Sequence, residues 1–302
     1  MNCNLCNRKC NIDRDKQVGF CNANNKIKIA KYMLYYYEEP CISGKNGSGA
    51  VFFSNCNMKC VYCQNHEISL EEYGKEISIN DLANIFLKLQ KEGAHNINLI
   101  TPGHFAHLIK KSIIIAKKNG LKIPIVYNTN SYETVETIKS LKGLIDIYLP
   151  DFKYYDNNLA IKYSKAPNYC ETAKKSINEM YKQVGKPVFK NGIMQKGVLV
   201  RHLMLPTLSN DTKSIINYLY KTYKNNIYIS IMNQYTKVKH FDDELLNKTI
   251  TKQEYEDIIN YAYDLGIRNC FVQEEETCKE SFIPNFKEWS YSFRRTSIFS
   301  TL

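Results

Sequence analysis

Three cysteines spaced C-x3-C-x2-C, Cys56, Cys60 and Cys63, directly follow the apolar run Ala50-Val-Phe-Phe53. Three thiolates can hold three irons of a four-iron cluster and leave the fourth open, whereas electron-carrying clusters take four thiolates. The spacing therefore points to a cluster that does chemistry at its open iron. A zinc knuckle is the competing assignment for so compact a loop, with His66 as its fourth ligand. The place of the loop, at the end of a first barrel strand, favours the cluster, because cofactor chemistry gathers at the C-terminal ends of barrel strands.

A second thiol set, Cys3-x2-Cys6-x3-Cys10-x10-Cys21, lies in a charged, glycine-poor stretch with little periodicity. One tetrahedral site, of zinc or of an auxiliary iron-sulfur cluster, would stabilise a lobe too short for a core of its own.

The elements that must position these thiols alternate. The spacing predicts a helix from Asn80 to Gly93, with Leu82, Ile85, Phe86 and Leu89 on one face and Asn80 as N-cap, then a strand at Ile97–Ile100. The pattern recurs as a helix from His107 to Asn119, a strand Ile123 to Tyr127, a helix Glu133 to Leu141 and a strand Leu144 to Leu149. A helix Tyr169 to Gln183, a strand from Gly197 to Leu205, a helix Ser214 to Tyr223 and a strand Ile227 to Ile231 follow. Six strand-helix units imply a parallel sheet, since parallel strands need crossover connections. No G-x-G-x-x-G follows the first strand, and candidate ligands sit at several strand ends. Both points favour an α/β fold of the partial (β/α)6 TIM-like barrel type over a dinucleotide-binding sheet. The expected organisation is a Cys-rich lobe over 1–49, the barrel over 50–235 and a C-terminal extension over 236–302, with a helix Glu254 to Leu265 and a strand Asn269 to Gln273. In that extension, Glu274 to Glu276 reads as a solvated turn, Cys270 and Cys278 as core thiols, and Arg294 and Arg295 as surface residues.

Composition narrows the function classes. No run of about 18 apolar residues occurs, so a membrane span is not expected. The start Met1-Asn-Cys-Asn-Leu-Cys6 has neither a basic n-region nor an apolar h-region, and eleven cysteines without an export signal read as metal ligands in a reducing, cytoplasmic setting. Net charge is +11, but the lysines are scattered, as at Lys110-Lys111 and Lys117-Lys118, with no Arg-rich block. That distribution describes solvated helix faces rather than a nucleic-acid site.

The triplet, with Tyr62 before its last cysteine, closely resembles the signature of radical S-adenosylmethionine (SAM) enzymes. Further segments, in order, resemble glycyl-radical activating enzymes, and within them pyruvate formate-lyase activating enzyme-like proteins with an extra N-terminal cysteine lobe: Cys3 to Cys21, Ser54 to Glu67, Asn98 to His104, Tyr127 to Ser131, Tyr148 to Lys153, Val200 to Pro206 and Ser230 to Tyr235. The resemblance implies a 4Fe-4S cluster on Cys56, Cys60 and Cys63, with SAM as cofactor and Tyr62 against its adenine. It also implies that Thr101 and His104 stand where relatives carry a Gly-Gly-Glu-like segment for the methionyl ammonium; here Thr101-Pro-Gly-His104 has no acid. Asn128, Asn130, Asp151 and Lys153 match segments that hold the methionyl portion and a monovalent cation, with Asn128 replacing the usual acid.

Lys153 and Arg201 are candidates for the methionyl carboxylate, although Arg201 in an apolar strand would be served equally by a structural Asp or Glu. His104 reads equally as a packed, hydrogen-bonded side chain. Gln234, between Asn233 and Tyr235, matches the segment that frames adenine and ribose. The implied partners are a reduced flavodoxin or ferredoxin and a glycyl-radical enzyme whose glycine is activated. A small molecule, peptide or RNA is the alternative substrate, and a non-catalytic iron-sulfur or zinc protein the alternative class.

Overall fold

The computed structural model describes residues 3–71, 73–273, 284, 286 and 299–301. Glu274 to Glu276, Cys278, Arg294 and Arg295 lie outside them. In chain order the first elements are β1 (Ile27–Tyr35), α1 (Pro40–Ser43), β2 (Ser48–Phe53), α2 (His66–Ser69), β3 (Lys75–Ile77) and α3 (Ile79–Lys91). Then come β4 (Ile97–Ile100), α4 (Ala106–Lys118), β5 (Ile125–Thr129), α5 (Val135–Ser140), β6 (Ile147–Pro150), α6 (Asn157–Ser164) and α7 (Tyr169–Val184). The last are β7 (Val188–Lys190), β8 (Ile193–Leu203), α8 (Ser209–Tyr223), β9 (Tyr228–Met232), α9 (Lys252–Leu265), β10 (Cys270–Gln273) and β11 (Phe299–Thr301).

One sheet joins the strands in the order β11-β10-β9-β8-β6-β5-β4-β2-β1-β3, with β7 paired on β8. From β2 to β10 every neighbour is parallel, and the outermost pairs are antiparallel. The sheet is an open, partial barrel, as the alternation implies, but its parallel run counts seven strands rather than six, because β10 joins it. It also begins earlier than expected: β1 pairs with β2 antiparallel from Ile29 to Tyr35, so the sheet reaches into the segment read as a separate lobe. The signal was there in Ile27, Ile29 and Ala30, buried at the start of the strand.

Local chemistry fixes the helices. Ser78, not Asn80, caps α3: its hydroxyl accepts from the Asp81 N–H while the Asp81 carboxylate accepts from the Ser78 N–H. Leu82, Phe86 and Leu89 of α3 are fully buried against the outer face of the sheet, together with Leu99 and Tyr127. Each such side chain contributes about 1.5–3 kcal/mol by leaving water. A smaller cluster fills the inside of the barrel: Val126, Ile147, Leu149 and Leu199 from the strands meet Cys41 and Ile42 of α1. The Asn96 amide donates to the Ile42 carbonyl at 2.8 Å. Residues 35–43 thus plug the barrel at the N-terminal ends of its strands. Among the described residues, no helix is long and apolar enough to cross a membrane.

Candidate active site

At the opposite, C-terminal ends of the strands lies a cavity of about 240 Å³. Cys56, Cys60 and Cys63 all line it, on the loop between β2 and α2. Each sulfur has a polar neighbour. The Ser164 hydroxyl donates to Cys60 Sγ at 2.9 Å, the Asn130 amide and the Met58 N–H lie 3.5 and 3.4 Å from Cys56 Sγ, and Ser69 Oγ lies 3.2 Å from Cys63 Sγ. Burial pushes the Cys56 thiol up to about 12 and raises Cys60; mutual repulsion adds to both, and Lys153 draws both down. Such thiols ionise only when a cation takes the charge, which is what cluster iron supplies. Among the described residues, no three His, Cys, Asp or Glu side chains stand drawn together around a metal position; the thiols keep these hydrogen-bonded rotamers. His66, the possible fourth zinc ligand, is not among the residues lining the cavity, and its Nε2 lies 3.6 Å from Glu71.

Tyr62, Thr101, Asn128, Asn130, Asp151, Lys153, Arg201 and Gln234 also line the cavity, and His104 does not. Tyr62 is buried, its hydroxyl 2.5 Å from that of Tyr154, its ring edge-on to Tyr235. Gln234 is fixed by Gln273, whose amide donates to its side-chain oxygen at 2.9 Å. Thr101 ends β4 with a φ of +55°, a left-handed conformation that costs a β-branched residue about 1–3 kcal/mol. His104 points into the core, its Nε2–H donating to the Ser54 carbonyl at 2.8 Å, and burial pushes its ring down to about 3. The packed role weighed for it is the one seen.

Arg201 takes the second of its two anticipated kinds of partner. Its Nε donates to Asp151 at 3.0 Å, one terminal nitrogen to Glu38 at 3.0 Å and the other to the Asn128 carbonyl oxygen at 2.6 Å. Lys153 closes on Asp151 at 2.7 Å, and the two cations hold the Asp151 carboxyl below its usual range against its burial. The sequence reading missed Glu38 and Glu39, which enter the cavity from the plug. Their signal was two adjacent acids before Pro40, inside a stretch taken for lobe.

The four N-terminal thiols share one neighbourhood: burial chiefly raises Cys6 and Cys21, and Cys21 and Cys3 add to the first, Cys3 and Cys10 to the second. Left-handed residues at Lys9, Asn11 and Asn22 turn the chain sharply around them. Arg8 stacks on Phe20 at 3.6 Å and donates to the Asn57 carbonyl at 2.9 Å, tying this knuckle to the triplet loop.

Residues 50–219 match the radical SAM superfamily. An uncharacterized protein of Methanocaldococcus jannaschii is 30% identical over 281 residues, 88% of this chain and 76% of that one. SuiB of Streptococcus suis, in a structure bound to S-adenosylmethionine, is similar with a TM-score of 0.50 and 14% identity, covering 74% of this chain and 49% of SuiB. HydG, a maturase of the FeFe-hydrogenase, is similar with a TM-score of 0.51 and 15% identity over 76% of this chain and 52% of HydG. The chain spans about half the length of these two proteins, and the likeness to them is one of fold.

Proposed function

The chain belongs to the radical SAM superfamily, whose members work with a 4Fe-4S cluster and S-adenosylmethionine, and from that premise we propose that it is an enzyme abstracting hydrogen from a substrate in the cavity, with Cys56, Cys60 and Cys63 as cluster ligands. The observation that carries this reading is the meeting of the three thiols with Tyr62, Lys153 and Gln234 around one cavity. When bound, cluster and cofactor supply one-electron cleavage of a sulfur-carbon bond, yielding methionine and a 5′-deoxyadenosyl radical.

The chain's own residues bind, orient and exclude water. Ser164, Asn130 and the Met58 N–H fix the sulfurs as acceptors. Lys153, nearly buried and neutralised on one side by Asp151, offers its remaining donors to an anionic group near the triplet. Phe52, Ile100 and Leu203 line the wall and keep the reacting region dry.

Resemblance of the ordered motifs supports a glycine of a glycyl-radical enzyme as the hydrogen donor, entering as an extended loop, and a reduced flavodoxin or ferredoxin as electron source. The N-terminal thiols are proposed to bind one metal, zinc or a second cluster, supported by their spacing and by the Cys10 and Cys21 sulfurs, which lie 3.3 and 3.7 Å from where a Cβ at Gly19 would stand. The test is anaerobic reconstitution with iron and sulfide, then dithionite and SAM. 5′-Deoxyadenosine forms with wild type and is lost with Cys60→Ala; its absence from wild type sinks the enzyme reading. Calorimetry with SAM separates this from a purely electron-carrying protein, which has no affinity for it. Zinc and iron analysis beside a Cys3/Cys6 double variant identifies the metal of the knuckle.

A further inference from the structure

One acid in the cavity has no task in the scheme above. Glu39 is 1% exposed and lines the cavity, and among the described residues neither of its carboxylate oxygens makes a well-formed hydrogen bond. An isolated buried carboxylate is among the most costly groups a fold can carry, so it neutralises or finds a cation.

The charges around it are already matched. Lys153 meets Asp151 at 2.7 Å, Arg201 meets Asp151 at 3.0 Å, and Arg201 meets Glu38 at 3.0 Å. Among the described residues lining the cavity, two cations therefore balance two carboxylates, and every nitrogen of the Arg201 guanidinium has an acceptor among Asp151, Glu38 and Asn128. Glu39 is the charge left over among them. Burial, against the pull of Arg201, raises its carboxyl to about 7.

The contacts also order these groups. Lys153 is the cation that the triplet thiols feel, Asp151 follows Lys153, Arg201 follows Asp151, and Glu38 and Glu39 face Arg201 at the plugged end. Glu39 closes this chain at the end remote from Cys56 and Cys60. Beside it lies the Ser230 hydroxyl, fully buried, with no well-formed hydrogen bond among the described residues and near enough to the Glu39 carboxyl to draw it down against burial. Two carboxylate oxygens and one hydroxyl oxygen offer three acceptors, and a primary ammonium has three donors.

We propose that Glu39, with Ser230, receives the primary ammonium group of a substrate that enters through the cavity. The identity of that ligand as a substrate rests on the radical-enzyme reading; the ammonium site itself rests on the charge count alone. The methionyl ammonium of SAM shares this chemistry, and the contacts of Lys153, Asp151 and Arg201 that stand between the triplet and Glu39 argue against it.

The test is calorimetry on the full-length reconstituted protein with butylammonium, 1-butanol, butyrate and, separately, SAM. Butylammonium is expected to bind, and Glu39→Gln to weaken it at least about ten-fold, the cost of losing a charged hydrogen-bond partner. Butanol and butyrate are not expected to bind, and SAM affinity should not change. Ser230→Ala, a smaller perturbation, should weaken the amine without altering SAM affinity. Equal amine affinity in wild type and Glu39→Gln, or no amine binding, overturns the proposal. Weakened SAM binding in Glu39→Gln, with butylammonium competing against SAM, overturns the substrate assignment in favour of the cofactor's ammonium. The 5′-deoxyadenosine yield of the same preparations is read separately. Its absence with amine binding intact defeats the enzyme reading and not the site.

Discussion

Replacing Arg201 by Met removes the centre of the buried charge network without opening a large void. Asp151 keeps Lys153 at 2.7 Å and stays neutralised. Glu38 keeps the Asn98 and Asn128 amides, at 2.9 and 3.2 Å, but loses the one cation that pairs with it among the described residues. One carboxylate is therefore stranded, not two, and the loss belongs near the lower end of the range for breaking a buried pair, about 3 kcal/mol. The assay is urea unfolding of the whole chain at constant protein concentration. Adding Glu38→Gln to Arg201→Met removes the stranded charge and should restore roughly 1–3 kcal/mol.

The reasoning is refuted if the double variant unfolds at the same urea concentration as the single one. If Arg201 instead serves mainly to hold a cofactor carboxylate, SAM affinity falls and stability does not.

Other perturbations read neighbouring parts of the same argument. Glu39→Gln should stabilise the apo protein, by up to about 3 kcal/mol above pH 7, because a carboxyl raised from 4.5 to about 7 costs stability there and the cost vanishes as pH falls towards 4.5; thermal unfolding at high and low pH checks it. His202 donates its Nδ1–H to the Phe152 carbonyl at 2.7 Å and accepts from the Thr212 hydroxyl at 2.9 Å, so it folds neutral, pushed down to about 4 by burial. Its contribution is complete above the unfolded value of 6.5 and fades as pH falls through about 4. His202→Gln should therefore flatten acid unfolding, by about 2 kcal/mol at pH 5. Gly103→Ala would bring a Cβ to 2.2 Å from a Glu133 carboxylate oxygen that the buried Thr129 hydroxyl also holds. A loss of about 1–3 kcal/mol in urea unfolding is expected, with little change if Glu133 is shortened to Asp.

Much of this molecule was readable in the chain, for definite physical reasons. The alternation of β4 to β9 with their helices follows from periodicity that burial enforces, and the triplet at a strand end follows from spacing alone. β10 joined the parallel run because a short apolar segment after α9 cannot reveal from sequence which neighbour it pairs with. The plug was illegible for a different reason. Residues 35–43 are aromatic and acidic with no period, and their partners, Asn98, Asn128 and Arg201, lie between 60 and 163 positions away. Lys153 and Arg201 were recognised as cations needing anions, but which anion was a question only the fold could answer. His104 shows the converse: a histidine in a motif-like segment that packing drew inward beside Phe105.

The N-terminal knuckle carries a consequence for how the chain is made. Its anchors are the Tyr132 carbonyl and the Thr134 N–H beside the Asn130 loop, and the Pro167 carbonyl beyond α6. Asn7 reaches Pro167 across 160 residues, and closing a loop of that length costs about 4–5 kcal/mol of chain entropy before any contact is gained. These residues, far ahead of their anchors in the chain, are therefore among the last to find their seat. Until Tyr132 and Pro167 have folded, Cys3 to Cys21 hold local closures such as the Cys3 N–H on the Ile12 carbonyl and Arg8 on Phe20, and the loop bearing Asn130 lacks the brace that steadies it against Cys56.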